Sequence, residues 1–179
     1  MNILGHFQTI THHKLLVMKY CFQAGLYRQG LLHDLSKYSP TEFLVGARYY
    51  QGDHSPNDAE RVEKGYSEAW MHHKGRNRHH FEYWIDYQLG APKGSMGPVR
   101  MPARYVAEMF CDRIAACRIY NKDNYEPPMA LDYFLRSKGH MMMHPETSRQ
   151  IEGLLRMYVD LGEKKTLRYI RKVFLKKYQ

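Results

Sequence analysis

What most constrains the fold of this chain is where its prolines and glycines fall around apolar residues that recur every three or four positions. "SPTE" at 39–42 sets a serine, then a proline at the first helical position, then a glutamate three residues after the serine, the pattern of a capping box. Pro56, Pro102, Pro128 and Pro145 fit further helix starts, and Gly139 and Gly162 fit helix ends. The pattern predicts helices over roughly 7–25, 28–37, 40–51, 57–71, 78–89, 102–121, 129–138, 145–161 and 163–177. Alternating strand patterns and repeats are absent. "GAPKGSMGPVRMP" (90–102) is the one long loop, and "GDHSPND" is a shorter one. The expectation is one all-α domain over residues 1–179, a helical bundle.

Composition supports that reading and removes several classes of function. The chain has 179 residues, of which 44% are hydrophobic and 13% aromatic, enough for a proper core and too many for disorder. No apolar run approaches the ~20 residues of a membrane helix. "MNILGHFQTITHHK" lacks the charged-then-apolar layout of a secretory signal, so the expected address is cytoplasmic. Cys21, Cys111 and Cys117 are an odd, unpatterned set that points to neither a disulfide framework nor a CxxC zinc site. The net charge of +9 is concentrated in residues 163–179, where seven Lys/Arg face one Glu; the remainder carries only +3. The basic excess belongs to the tail, so nucleic-acid binding is not favoured.

Helical spacing sorts the histidines. His13 shares a face with Ile10, Val17 and Cys21, whereas His12 runs with Gln8, Lys19 and Gln23. His13 is therefore expected inside and His12 outside. By the same rule His80 runs with Tyr83, Trp84 and Tyr87 and faces inward, while His79 runs with Glu82 and Asp86 and faces out. Asp112 interrupts the stripe formed by Tyr105, Met109, Ala116 and Ile119, and His33-Asp34 follows two leucines. Buried polar groups need partners. Imidazole nitrogens mixed with carboxylate oxygens suit a divalent transition metal: manganese, iron, cobalt, nickel or zinc. His13, His33, Asp34 and Asp112 are the candidate ligands. The alternative is an Asp112–His hydrogen bond in the core, with His33-Asp34 at a surface turn.

This arrangement, His13, then "LLHDLSK", then a distant Asp112, resembles the HD-domain superfamily of metal-dependent phosphohydrolases, with gaps of 20 and 78 residues between its parts. The resemblance spans roughly residues 6–121, leaving family-specific helices over 127–179. "HDLSKYSPTEF" and "HHKGRNRHHFEYW" are also similar to a small, functionally uncharacterised bacterial family within that superfamily. The resemblance implies an all-α HD-like bundle and a role for Lys37, since a lysine three residues after the aspartate can meet a substrate phosphate. It further implies two extra histidines for a second metal or for substrate. His73 and His80 are the choices, although seven residues between them is less than the usual spacing. Packing in an aromatic layer is the alternative for His72, His73, His79 and His80.

The expected activity is hydrolysis of a small-molecule phosphate ester, with a nucleotide as one candidate substrate. Asp34 and Lys37 are the candidate catalytic residues, and Lys37, Arg76 and Arg113 the candidate substrate-binding cations. Glu42 is a further candidate base, with its capping-box role as the simpler account. Two other classes stay open: a di-iron HD-type oxygenase, and a non-catalytic, metal-stabilised helical module that binds RNA or protein through its basic tail. "HMMMH" (140–144) superficially suits copper, but Gly139 and Pro145 bracket it as a loop. The tail stripe of Leu167, Ile170, Phe174 and Tyr178 fits a docked terminal helix with a solvated charged face.

Overall fold

In the computed structural model, which describes residues 1–178, helix α1 (Ile3–Gln23) and helix α6 (Ala103–Asn121) form the axis of the fold. Between them lie α2 (Tyr27–Leu32), α3 (Pro40–Arg48), α4 (Pro56–Lys64) and α5 (Glu68–Lys74). After α6 come α7 (Pro128–Ser137), α8 (Pro145–Leu161) and α9 (Glu163–Tyr169). The chain is all-α apart from one short antiparallel hairpin, β1 (Ile85–Tyr87) with β2 (Met96–Pro98), in which Asp86 lies opposite Gly97. Among the described residues, no helix is long and apolar enough to cross a membrane.

The apolar faces of α1, α6 and α8 supply one continuous core, with Val17, Tyr20, Phe110, Ile114, Ile151 and Leu155 fully buried. Helix α1 begins where the Asn2 side chain accepts from the Gly5 amide, and ends at Gly25, whose φ is 81°. The Leu26 amide then donates to the Cys21 carbonyl at 2.7 Å, and the Gly25 amide to that of Phe22. This paired closure uses the left-handed freedom of glycine to fold α2 back against α1. Lys14 Nζ pins the end of α2 by donating to the carbonyls of Leu31 and His33, at 2.9 and 2.8 Å.

Three expected helices differ. The helix expected over 28–37 stops at Leu32: Asp34 takes a left-handed conformation (φ 52°, ψ 26°), and Leu35–Tyr38 forms a 3-10 turn. The one expected over 57–71 is split at Gly65, whose φ of 80° ends α4 before Ser67 caps α5. The one expected over 78–89 is a 3-10 turn (Phe81–Tyr83) leading into β1, so the loop at 90–102 contains β2. The capping box at "SPTE" is also absent. Ser39 and Pro40 do start α3, but Ser39 makes no capping bond and Glu42 turns inward.

At the C-terminus, α9 continues through a π-helical turn (Ile170–Phe174) into Leu175–Lys177. Leu167, Ile170 and Phe174, spaced by three and then four residues, keep to one face and are all buried. Arg118 ties this segment to α1 and α6: it donates to Tyr20 Oη at 2.6 Å and pairs with Glu163 at 3.3 Å.

The approach of α3 to α1 is set by Gly46, where any Cβ would overlap the His6 imidazole. Gly46→Ala should therefore cost about 1–3 kcal/mol of stability, as overpacking does. In a His6→Ala background the same change should instead stabilise by up to about 1 kcal/mol, because alanine is the better helix former. Urea denaturation of the four chains measures both values, and equal effects in the two backgrounds would rule out the contact as the cause.

Candidate metal centre

Asp34 is the centre of the site. Its left-handed backbone carries a strain of roughly 1–2 kcal/mol for a residue with a Cβ, and it turns the carboxylate into the protein, where only 1% of the residue is exposed. Four imidazoles surround it. His13 Nε2 and His33 Nε2 approach Oδ2 at 3.7 and 3.4 Å, while His73 Nε2 and His79 Nε2 approach Oδ1 at 3.3 and 3.4 Å. Lys37 Nζ lies 2.6 Å from Oδ2. Neither carboxylate oxygen, nor His79 Nε2, has a hydrogen bond of acceptable geometry. Orphaned polar atoms at this depth are costly unless something else satisfies them.

The donor atoms form two groups that share Asp34. His13, His33, Asp34 and Asp112 make one, and Asp34, His73, His79 and His80 the other; within each, the ligand atoms lie within 4.8 Å of one another. In the first group His13 Nε2 is 3.0 Å from Asp112 Oδ1 and 3.5 Å from His33 Nε2, and the His33–Asp112 separation is 3.6 Å. In the second, the Nε2 atoms of His73 and His80 are 2.9 Å apart. Ligands bound about 2.1 Å from one ion stand roughly 3.0–3.4 Å apart at octahedral or tetrahedral angles. The separations given above, 2.9–3.7 Å, lie close to that spacing, so these side chains could hold a metal ion.

The far sides of the rings are also fixed. Glu108 Oε1 accepts from His33 Nδ1 at 3.0 Å and lies 3.2 Å from His79 Nδ1. Glu42 Oε2 and Oε1 lie 2.7 and 2.6 Å from the Nδ1 atoms of His73 and His72. Carboxylates behind imidazoles select the tautomer that aims Nε2 forward, the usual support of metal-binding histidines. Asn77 braces the second group, donating to the His73 carbonyl and to Ser36 Oγ.

Charge follows from burial and from these partners. Burial alone would raise the Asp34 pKa, but His33, Lys37 and His73 hold it well below the carboxylate range. Asp112 is held down in the same way, against burial, by His13 and His33. Burial alone would lower His33, yet Asp34, Asp112 and Glu108 push it up to about 10. Burial and Lys37 lower His13, and burial with His79 and His73 puts His80 well below its usual value.

A cleft of about 940 Å³ opens onto this cluster, lined by Lys37, Glu42, His73, His80, Asp112 and Arg113 among others. The structure thus brings together His13, His33, Asp34, Asp112, His73 and His80, with Lys37 and Arg113 beside them. His12 is exposed and His13 buried. The expected split of the other pair is reversed: His79 is 1% exposed and His80 only partly buried. Residues 75–80 form turns, so a helical phase does not apply and both side chains reach the cluster. Arg76 is not at the site. It is exposed at the end of α5, donates to the His72 carbonyl at 3.3 Å and does not line the cleft.

Glu108, His79 and the inward role of Glu42 are additions to the sequence-derived set. Glu108 had a readable signal, one helical turn before Asp112. Glu108→Gln should leave helical content unchanged and weaken uptake of a divalent transition ion by about 10–100-fold, as loss of such a supporting bond does. Uptake by the native chain should also tighten as pH rises, because an ion must displace the proton that His33 holds up to about pH 10. Competition titrations against a chromogenic chelator at several pH values measure both effects.

None of the curated proteins and none of the solved structures matches the chain. A family model matches residues 2–157, an interval that includes every ligand candidate, and its description is "Family of unknown function (DUF5662)". The chain belongs to the DUF5662 family.

Proposed function

We propose that this protein is a metal-dependent hydrolase of phosphate esters with an HD-type site. The observation that carries the reading is Asp34: a strained, buried carboxylate whose oxygens make no hydrogen bond of acceptable geometry, set between two imidazole pairs and ion-paired with Lys37. His13, His33, Asp34 and Asp112 would hold one ion, and Asp34, His73, His79 and His80 a second. Their mixed nitrogen and oxygen donors suit manganese, iron, cobalt, nickel or zinc. Such an ion supplies Lewis acidity and makes bound water acidic near neutral pH.

The chain's own groups have distinct tasks in this reading. Asp34 stays ionised, so it orients ligands and accepts a hydrogen bond from an attacking water. Lys37 is 30% exposed in its side chain and lines the cleft, so it can leave Asp34 for a phosphate oxygen and oppose the charge that develops there. Its ion pair with Asp34 keeps it protonated, overcoming the effect of burial. Glu42 and Glu108 position imidazoles without reaching the reacting atoms.

The second histidine group also favours a different chemistry, a di-iron oxygenase, because it gives two adjacent sites bridged by one carboxylate. Metal analysis of the purified chain and a screen of phosphoesters against oxygen uptake separate the two. The apolar face of α9 is spent on the core, so an RNA or protein partner of the tail would meet its exposed basic residues alone.

Asp34→Ala should lose bound metal, whereas Lys37→Met should keep it and lose phosphoesterase turnover by about 10²–10³-fold, the effect of removing a transition-state donor. A fully active Lys37→Met chain would remove Lys37 from the mechanism.

A further inference from the structure

Two side chains that line the cleft each carry a buried polar atom without a hydrogen-bond partner and belong to no ligand group: Arg113, at Nε, and Glu82, at Oε2. Each is adjacent in sequence to the metal cluster. Arg113 follows Asp112 on α6, and Glu82 lies two residues after His80 in the turn Phe81–Tyr83. The guanidinium of Arg113 lies over the Phe134 ring, its Cζ 5.6 Å from the ring centre. Burial raises the Glu82 pKa above its ordinary value, with Arg113 opposing the shift. Opposite charges in one cleft would ordinarily pair, yet neither side chain enters an ion pair among the described residues.

Their chemistry limits what can bind against both. A guanidinium only donates, and a carboxylate oxygen accepts. A second anion would satisfy Arg113 and be repelled by Glu82; a cation would do the reverse. A hydroxyl donates to one and accepts from the other without adding charge, and neighbouring hydroxyls can do both at once. The cleft, at about 940 Å³, has room for far more than a bare phosphate.

We propose that Glu82 and Arg113 form a hydroxyl-recognising subsite, which selects phosphate esters of polyhydroxy alcohols such as sugars. The phosphate half of this statement rests on the phosphohydrolase reading above; the polyol half stands on the unpaired Glu82 and Arg113 alone. The two residues are specificity determinants, set beside the reacting centre.

The test uses the full metal-loaded chain and two esters that differ only in their alcohol, ribose 5-phosphate and p-nitrophenyl phosphate. Glu82→Met and Arg113→Met should each lower the ratio of their kcat/KM values, sugar over aryl, by about 10- to 100-fold, the loss of one hydrogen bond to a charged group. Arg113→Lys, which keeps a donor, should recover part of that ratio. An unchanged ratio in both methionine variants overturns the subsite. A second readout needs no turnover: saturation-transfer NMR of free ribose should show binding to the native chain, reduced in each methionine variant, with cyclopentanol as the control. If the native chain hydrolyses no phosphate ester, the phosphohydrolase reading fails and this binding measurement decides the subsite alone. Ribose contact that is absent, or equal in all chains, overturns it; thermal melts of each variant exclude misfolding as the cause.

Discussion

Everything at the centre of this protein depends on burying the carboxylate of Asp34. An isolated carboxylate taken out of water is destabilised severely, and a left-handed backbone adds to that cost. The surrounding structure is the compensation. His13 comes from α1, His73 from α5, His79 from the turn that follows, and Lys37 from the 3-10 turn just downstream. Three of the surrounding imidazoles are fixed in turn, His73 by Glu42 and His33 and His79 by Glu108, so the polar cluster extends two layers deep before the apolar core resumes.

Such a cluster fits a binding site better than a stabilising device. Breaking any one contact leaves a buried charge exposed to a poor environment, while apolar residues of similar volume would often serve stability as well or better. The acceptor oxygens of Asp34 face nitrogens at ligand spacing and without hydrogen bonds of good geometry, which is how a site built for a cation presents itself. The arrangement is costly to keep without an occupant, and that cost argues for use.

The first ligand group was legible because long helices report phase. On α1 and α6, three- and four-residue spacing separates inward from outward residues, so His13 and Asp112 stood out against apolar neighbours. His33-Asp34 was visible as an anomaly after two leucines, although the left-handed break that presents it was not. The second group was only half legible. His79 was assigned outward by a helical phase that residues 75–80 do not have. Glu42 was hidden by its fit to a capping box, and the hairpin by strands of three residues, too short for alternation to register. Local patterns resolve residues on long regular elements and fail where tertiary charge pairing shapes a turn.

The sharp reversal at Gly25 has a further consequence, for the order in which the site is assembled. His13 and His33 are 20 residues apart and joined by a tight corner, whereas Asp112 lies 78 residues beyond Asp34. On loop-closure entropy alone, the longer connection costs about 1 kcal/mol more to close. By that measure the α1–α2 corner brings His13 and His33 together at lower entropic cost than α6 brings Asp112, so part of the candidate ligand set is local and the rest depends on a distant helix.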